Sequence, residues 1–351
     1  MSTVHDAIEL AKQSEYFSGA RLPEELQAFL SAESEPCREL GRRLAGATHV
    51  YLVGSGGSWA TLQTAKYALD GYLEAPIEAL HSYDFIWRKP ARLGKGALVV
   101  LASYSGETED TVAALRFAKA TGATTVGIVK GGDSAVRRES DHAIEYGSAA
   151  IFEAPIAALL LLAAGMCEGT PASGRAEERA TAVAAVPEAA RTALQGADAW
   201  AEEQARAFLS SRHLYVLGAG PLSPLAYKVA LTVVMENIRI GGTWIDASEW
   251  RHGPAEALER SQADALMLVG TDDSRAMCER SLAFLREHGA RTLVIDAARY
   301  GDVHPLLTPL VLNSLTQWFT VWSAVLRGID DLDHRVFMGR HVLAEGGHRW
   351  P

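Results

Sequence analysis

The chain predicts an α/β fold: two doubly wound parallel sheets in tandem, each flanked by helices. Three observations lead there. Short apolar runs rich in β-branched residues alternate with helical stretches, the pattern of a parallel sheet covered on both faces. The order strand, glycine turn, helix, strand, hydroxyl-rich turn, helix runs once and restarts near residue 213, a weak internal duplication. The length, 351 residues, suits two or three domains at roughly 100–200 residues each.

Taken in order, residues 1–48 read as helical and partly amphipathic. The run 49–53 (His-Val-Tyr-Leu-Val) is a strand, closed by Gly54-Ser-Gly-Gly-Ser58 and followed by a helix to about Leu73. The run 97–101 is a second strand, closed by Ser103-Tyr-Ser-Gly-Glu-Thr108 and followed by a helix to Thr121; a third strand covers 124–129. The apolar stretch 154–166 is too short to span a membrane and reads as a buried helix. Residues 170–210, rich in Ala, Glu and Arg, read as one long connecting helix. The second half has strands at 213–218, 265–270 and 291–296, with a glycine turn at 219–223 and a helix over 224–240. The expected division is a helical segment 1–40, a first domain 41–170, a linker helix 171–210, and a second domain with a C-terminal tail, 211–351.

Composition narrows the function. A hydrophobic content of 48% with 22% charged residues is that of a folded protein. A net charge of -10 offers no general attraction for nucleic acid, so an anionic ligand must be held by local donors. Cys37, Cys167 and Cys278 are too far apart for a zinc site and too few for a disulfide framework; they read as buried free thiols in a reducing compartment. Residues 1–16 carry no apolar signal core, so a cytoplasmic location is expected.

Three segments carry chemistry. Gly54-Ser-Gly-Gly-Ser58 lies at a strand-to-helix junction, where glycines allow close approach and the helix start offers unpaired N–H groups. It lacks dinucleotide and P-loop spacing, and a plain tight turn explains it equally well. Ser103-Tyr-Ser-Gly-Glu-Thr108 clusters three hydroxyls where a helix cap needs one, so the two loops together can cradle a phosphate. Glu236, near the end of an apolar helix, and His252, in a turn fixed by Gly-Pro, form a candidate acid–base pair. Each alone reads equally as a structural residue.

Together, Gly54-Ser-Gly-Gly-Ser58, Ser103-Tyr-Ser-Gly-Glu-Thr108 and Ser248-Glu-Trp-Arg-His-Gly-Pro254 resemble the sugar isomerase (SIS) family, in the form of two tandem SIS domains after about residue 40. The sequence is similar to the isomerase half of glucosamine-6-phosphate synthase. It is more similar to the fructosamine-6-phosphate deglycases, through Gly218-Ala-Gly-Pro-Leu222, Tyr227-Lys228, Met235-Glu236 and Asp272-Asp-Ser-Arg275. The resemblance implies that Ser55, Gly57, Ser58, Ser103, Ser105 and Thr108 bind phosphate. It implies that Glu236 moves a proton between C1 and C2, and that His252, sixteen positions later, assists ring opening from a partner subunit, hence a homodimer with a shared active site. Glu249 and Arg251 are expected to support these residues. No metal or other cofactor is implied, and neither nucleic acid nor membrane is an expected partner.

Two departures from the synthase matter. The synthase's amidotransferase domain with its N-terminal Cys is not expected here, and no lysine follows Lys228 in the sequence to form a Schiff base near its end. A deglycase is therefore expected, cleaving a 6-phosphofructosyl-amine to an aldose 6-phosphate and the free amine through an enaminol and an aldimine. The alternatives are an aldose–ketose or amino-sugar phosphate isomerase or deaminase, and, of another class, a non-catalytic sugar-phosphate sensor. The amine pocket is expected from segments such as 83–88 and the C-terminal tail, with His334, Arg335 and Arg340 either reaching the site or facing solvent.

Overall fold

A computed structural model describes residues 4–14, 17–260, 262–334 and 336. Among the described residues nine strands form two sheets, every pair parallel. The first contains β1 (His49–Gly54), β2 (Ile77–His81), β3 (Ala97–Ala102), β4 (Thr124–Val129) and β5 (His142–Glu145), in the order β2-β1-β3-β4-β5. The second contains β6 (His213–Gly218), β7 (Gly241–Asp246), β8 (Asp264–Val269) and β9 (Arg291–Asp296), in the order β7-β6-β8-β9. The second sheet thus repeats the order of the first four strands of the first.

The period-two alternation of each strand explains the layering. In the first sheet Val50, Leu52, Leu98 and Val100 face one core, while Tyr51, Val53, Val99 and Leu101 face another with Phe85 and Leu115. In the second, Leu214, Val216, Leu266 and Leu268 enter the same large core as Val50 and Leu52, while Leu217, Met267 and Trp250 pack on the far side. Both sheets therefore turn one face toward a shared helical layer. At its centre the helix Glu153–Met166 is buried along its whole length, and so is the helix Thr308–Val325. Among the described residues no helix is long and apolar enough to cross a membrane.

Several expectations need correction. The stretch read as one connecting helix is three α-helices, Ser173–Ala182, Val186–Leu194 and Ala197–Ala207, with a 3₁₀ turn after the first. Pro187 opens the second, and Gly196, in the left-handed region at φ 72°, precedes the third; neither suits a helix interior. The helix after Ser58 ends at Leu69 rather than Leu73. Strands β2, β5 and β7 were not legible in the sequence; all three are sheet edges. β5 is four residues long, and β7 opens on Gly-Gly and is only partly buried, so neither carries a strong apolar run. All three cysteines are free and buried, and burial pushes the Cys37 thiol up to about 12.

Candidate active site

The loops that follow β1 and β3 meet the helix that follows β6 around one cavity of 330 Å³. Ser55, Gly57, Ser58, Ser103 and Thr108 line it, together with Lys228, Thr232, Glu236 and Asn237. The more apolar wall comes from Phe17, Tyr146, Ile151, Pro155, Val321 and Leu332.

The hydroxyl loops are not spent on helix capping. Ser55 precedes the helix Gly56–Leu69, and Thr108 the helix Glu109–Ala120; neither side chain caps its helix. Ser103 Oγ instead meets Thr108 Oγ1 at 2.9 Å and accepts from Gly106 N at 3.1 Å, while Ser55 Oγ donates its one proton to Asp110 and lies 3.2 Å from Ser82 Oγ. Among the described residues neither N-cap side chain therefore occupies the first-turn N–H groups of its helix, which start at strand ends of the kind that bind anions. Gly106 is obligatory in this turn. Its φ is +67°, and a Cβ there would stand 2.1 Å from Ser134 Oγ.

The third wall depends on an uncommon helix. After Ser223–Lys228 the chain continues as a π-helix, Val229–Ile238. Asn237 Nδ2 donates to Thr232 O at 2.8 Å, spanning five residues as a π turn does. At 3.6 residues per turn the lining residues 228, 232, 233, 236 and 237 would spread over roughly 180° of helix circumference. At about 4.4 residues per turn they fall within roughly 115°. The wide turn thus draws Val233 and Asn237 onto the face that Lys228, Thr232 and Glu236 share, and Met235 is left 40% exposed on the outside.

Lys228, 7% exposed, gives the wall a cation. Its Nζ donates to Asn313 Oδ1 at 2.8 Å, and Asn313 Nδ2 donates to Glu153 Oε1 at 2.7 Å. Glu153 is fully buried, which pushes its carboxyl above the usual range. Burial likewise pushes the Lys228 ammonium down to about 8, against the opposing pull of Glu153 and Glu236.

The remaining candidates lie elsewhere. Ser105 is exposed, outside the cavity, and its Oγ accepts from Glu107 N at 3.1 Å. His252 is exposed in the turn after β7, next to the exposed Arg251, and does not line the cavity with Glu236 in the single chain. Glu249 lines a separate depression with Trp59, Tyr227, Trp244 and Asp246. Residues 83–88 contribute nothing to the cavity; Tyr83 stacks on Trp87, which is 68% exposed. Ser14, Phe17 and Leu332 line it instead. His334 offers its carbonyl to Arg239 at 2.9 Å; Arg335 and Arg340 lie outside the described residues. Lys228, Thr232, Asn237 and Gln317 were not singled out for the site from the sequence. The spacing 228, 232, 236 was the available signal, since it places the three on one face of an α-helix as well; Asn237 joins that face only in the wider turn.

Residues 43–164, the part that holds both hydroxyl loops, match the family model for the SIS domain. The match extends beyond that SIS domain in individual relatives. The chain is 29% identical over 331 residues to the fructosamine deglycase of Bacillus subtilis, covering 91% of this chain and 97% of the relative. It is 27% identical over 295 residues to the fructoselysine 6-phosphate deglycase of Escherichia coli, covering 83% and 85%. A solved Bacillus subtilis structure, provisionally described as a phosphosugar isomerase, superposes with a TM-score of 0.77 at 28% identity, over 90% of this chain and 96% of that one.

Proposed function

We propose that the protein is a deglycase of 1-amino-1-deoxyketose 6-phosphates, releasing an aldose 6-phosphate and a free amine. The observation that carries the reading is the convergence of Glu236 with two hydroxyl loops whose helix starts are uncapped, in one cavity. The names of the relatives supply the substrate class.

In this reading Ser55, Ser58, Ser103, Thr108 and the backbone at Gly57 hold the phosphate, and Ser105 shapes the turn through Glu107. Phosphate fixes the sugar so that C1 and C2 lie along the Glu236 wall. Glu236 takes a proton from C1, and the same carboxyl returns it to C2; one group serves both carbons because they are adjacent and present one face. Water then hydrolyses the aldimine. The chain works as two tandem SIS domains, 41–170 and 211–351, preceded by the helical segment 1–40 and joined by 171–210, in the cytoplasm. It pairs as a homodimer in which His252 of the partner subunit reaches the cavity and opens the sugar ring, with Glu249 and Arg251 beside it. This accounts for the exposure of His252 in the single chain.

The test is amine release from fructosyl-lysine 6-phosphate and a panel of related 6-phosphates. Wild type is expected to release glucose 6-phosphate and amine, and Glu236→Gln to lose this by about 10²–10⁴-fold, the contribution of a general acid–base. Conversion of fructose 6-phosphate or glucosamine 6-phosphate alone would reassign the protein as an isomerase or deaminase. Binding without turnover would make it a sensor.

A further inference from the structure

We infer that Lys228, anchored by the buried Asn313–Glu153 pair, donates from its ammonium to the C2 oxygen of the bound sugar and stabilises the charge that forms there while Glu236 removes the C1 proton. The inference rests on the proposed deglycase reading and adds a second catalytic residue to it.

The placement supports this in three ways. Lys228 and Glu236 line the same cavity from one continuous helical stretch, eight residues apart and so on one face of it. Among the described residues Asn313 Oδ1 is the only hydrogen-bond acceptor of the ammonium, which carries three donors; the Phe152 ring lies 5.4 Å from Nζ. A buried cation is costly unless paired, yet here neither carboxylate that acts on it hydrogen-bonds the ammonium: Glu153 is reached through an amide and Glu236 acts through its charge, so the pairing is incomplete among the described residues. An oxyanion in the cavity would complete it.

The step balances as follows. The C1–H pair becomes the C1=C2 bond as Glu236 takes the proton, and the C2 carbonyl pair moves to oxygen, which takes a proton from Lys228. Glu236 then protonates C2, and the nitrogen lone pair forms the C1=N bond of an iminium. Water adds to C1, and the proton it releases restores Lys228. The carbinolamine collapses to aldehyde and amine.

Lys228→Met is expected to lower kcat for amine release by about 10²–10³-fold, the loss seen when one oxyanion donor is removed, with KM changed less than about threefold. The wild-type kcat profile should fall as pH rises past about 8, where the ammonium is lost; Glu153 and Glu236 are the charged groups acting on it. Lys228→Arg, charged throughout, should recover part of kcat and lose that basic limb. The inference is overturned if Lys228→Met keeps kcat within about twofold or changes KM alone, or if borohydride with substrate leaves a sugar adduct on Lys228. If the Met variant does not fold, a wild-type kcat that stays flat up to about pH 10 overturns it equally. No amine release by wild type sinks the deglycase reading alone, since exchange of the C1 proton of fructose 6-phosphate with solvent deuterium still compares Lys228→Met with wild type. Absence of both activities sinks the two together.

Discussion

Gly106→Ala separates the geometry of the phosphate loop from its chemistry. Gly106 adopts φ +67°, and an added Cβ would stand 2.1 Å from Ser134 Oγ and 2.6 Å from Ser134 Cβ. A left-handed conformation costs a non-glycine residue about 1–2 kcal/mol. The overlap adds about 1–3 kcal/mol as overpacking. The sum, about 2–5 kcal/mol, applies if the loop keeps its shape. If the loop shifts to escape it, the 2.9 Å contact of Ser103 with Thr108 opens and the phosphate donors scatter. Gly132→Ala is the control: φ is +86°, but nothing lies within 4 Å of the added Cβ, so it carries the conformational cost alone. Urea unfolding and KM for phosphorylated substrate are measured for both. Gly106→Ala should be the less stable and should raise KM, by about tenfold for each 1.4 kcal/mol of lost phosphate binding. Ser134→Gly removes both clashing atoms, so the double variant should show favourable coupling of about 1 kcal/mol or more. Equal destabilisation of the two glycine variants, or no coupling with Ser134, would refute the steric argument.

Two further outcomes follow from the packing and the proposed assembly. Gly165→Ala places a Cβ 2.0 Å from the backbone oxygen of Arg38, where the helices Leu22–Arg43 and Glu153–Met166 cross; backbone cannot yield as a side chain does, so Tm should fall by about 5 °C or more. Mixing inactive Glu236→Gln with inactive His252→Ala protein under conditions of subunit exchange should restore amine release, because the mixed dimer holds one intact site; mixtures that stay inactive while mixed dimers are shown to form would place both residues in one subunit's site.

The sequence displayed what is repeated and buried, and concealed what is marginal or unusual. Central strands such as β1, β3 and β8 are continuous apolar runs because both faces are covered, and those runs were visible. Edge strand β7 pairs on one side only and needs no such run. The hydroxyl loops were legible because three Ser/Thr side chains exceed what a cap requires, and the structure leaves both helix starts without side-chain caps. Lys228 entered the sequence reading only within Tyr227-Lys228, with no role attached, because its spacing from Thr232 and Glu236 is one that any α-helix face shows. Its meaning comes from Asn313 and Glu153, 85 and 160 residues apart in their contacts. His252 poses the opposite case: its motif is recognisable, but one chain does not bring it to Glu236.

The strand order repeats, yet the proposed function places a phosphate cradle in the first half alone. In open α/β sheets ligands gather at the carboxyl ends of the strands, so each half offers two equivalent loops. In the first half these are the hydroxyl loops. In the second, the loop after β8 carries Asp272, whose Oδ1 accepts from Ser274 N at 2.9 Å and lies 2.8 Å from where a Cβ on Gly220 would stand. A carboxylate therefore fills the position that would otherwise face a phosphate, and Arg275 is drawn away into a paired contact with Asp296 at 2.8 Å. A dianion is repelled there. What the second half contributes instead is the helix after β6, widened into a π turn and carrying Lys228, Thr232 and Glu236 to the cavity of the first half. In the proposed reaction anchoring and proton transfer are thus divided between the two sheets, and the position of the sugar carbons would be set by the distance between a loop of one and a helix of the other. Substitutions in the shared helical layer should accordingly disturb turnover without touching either set of residues.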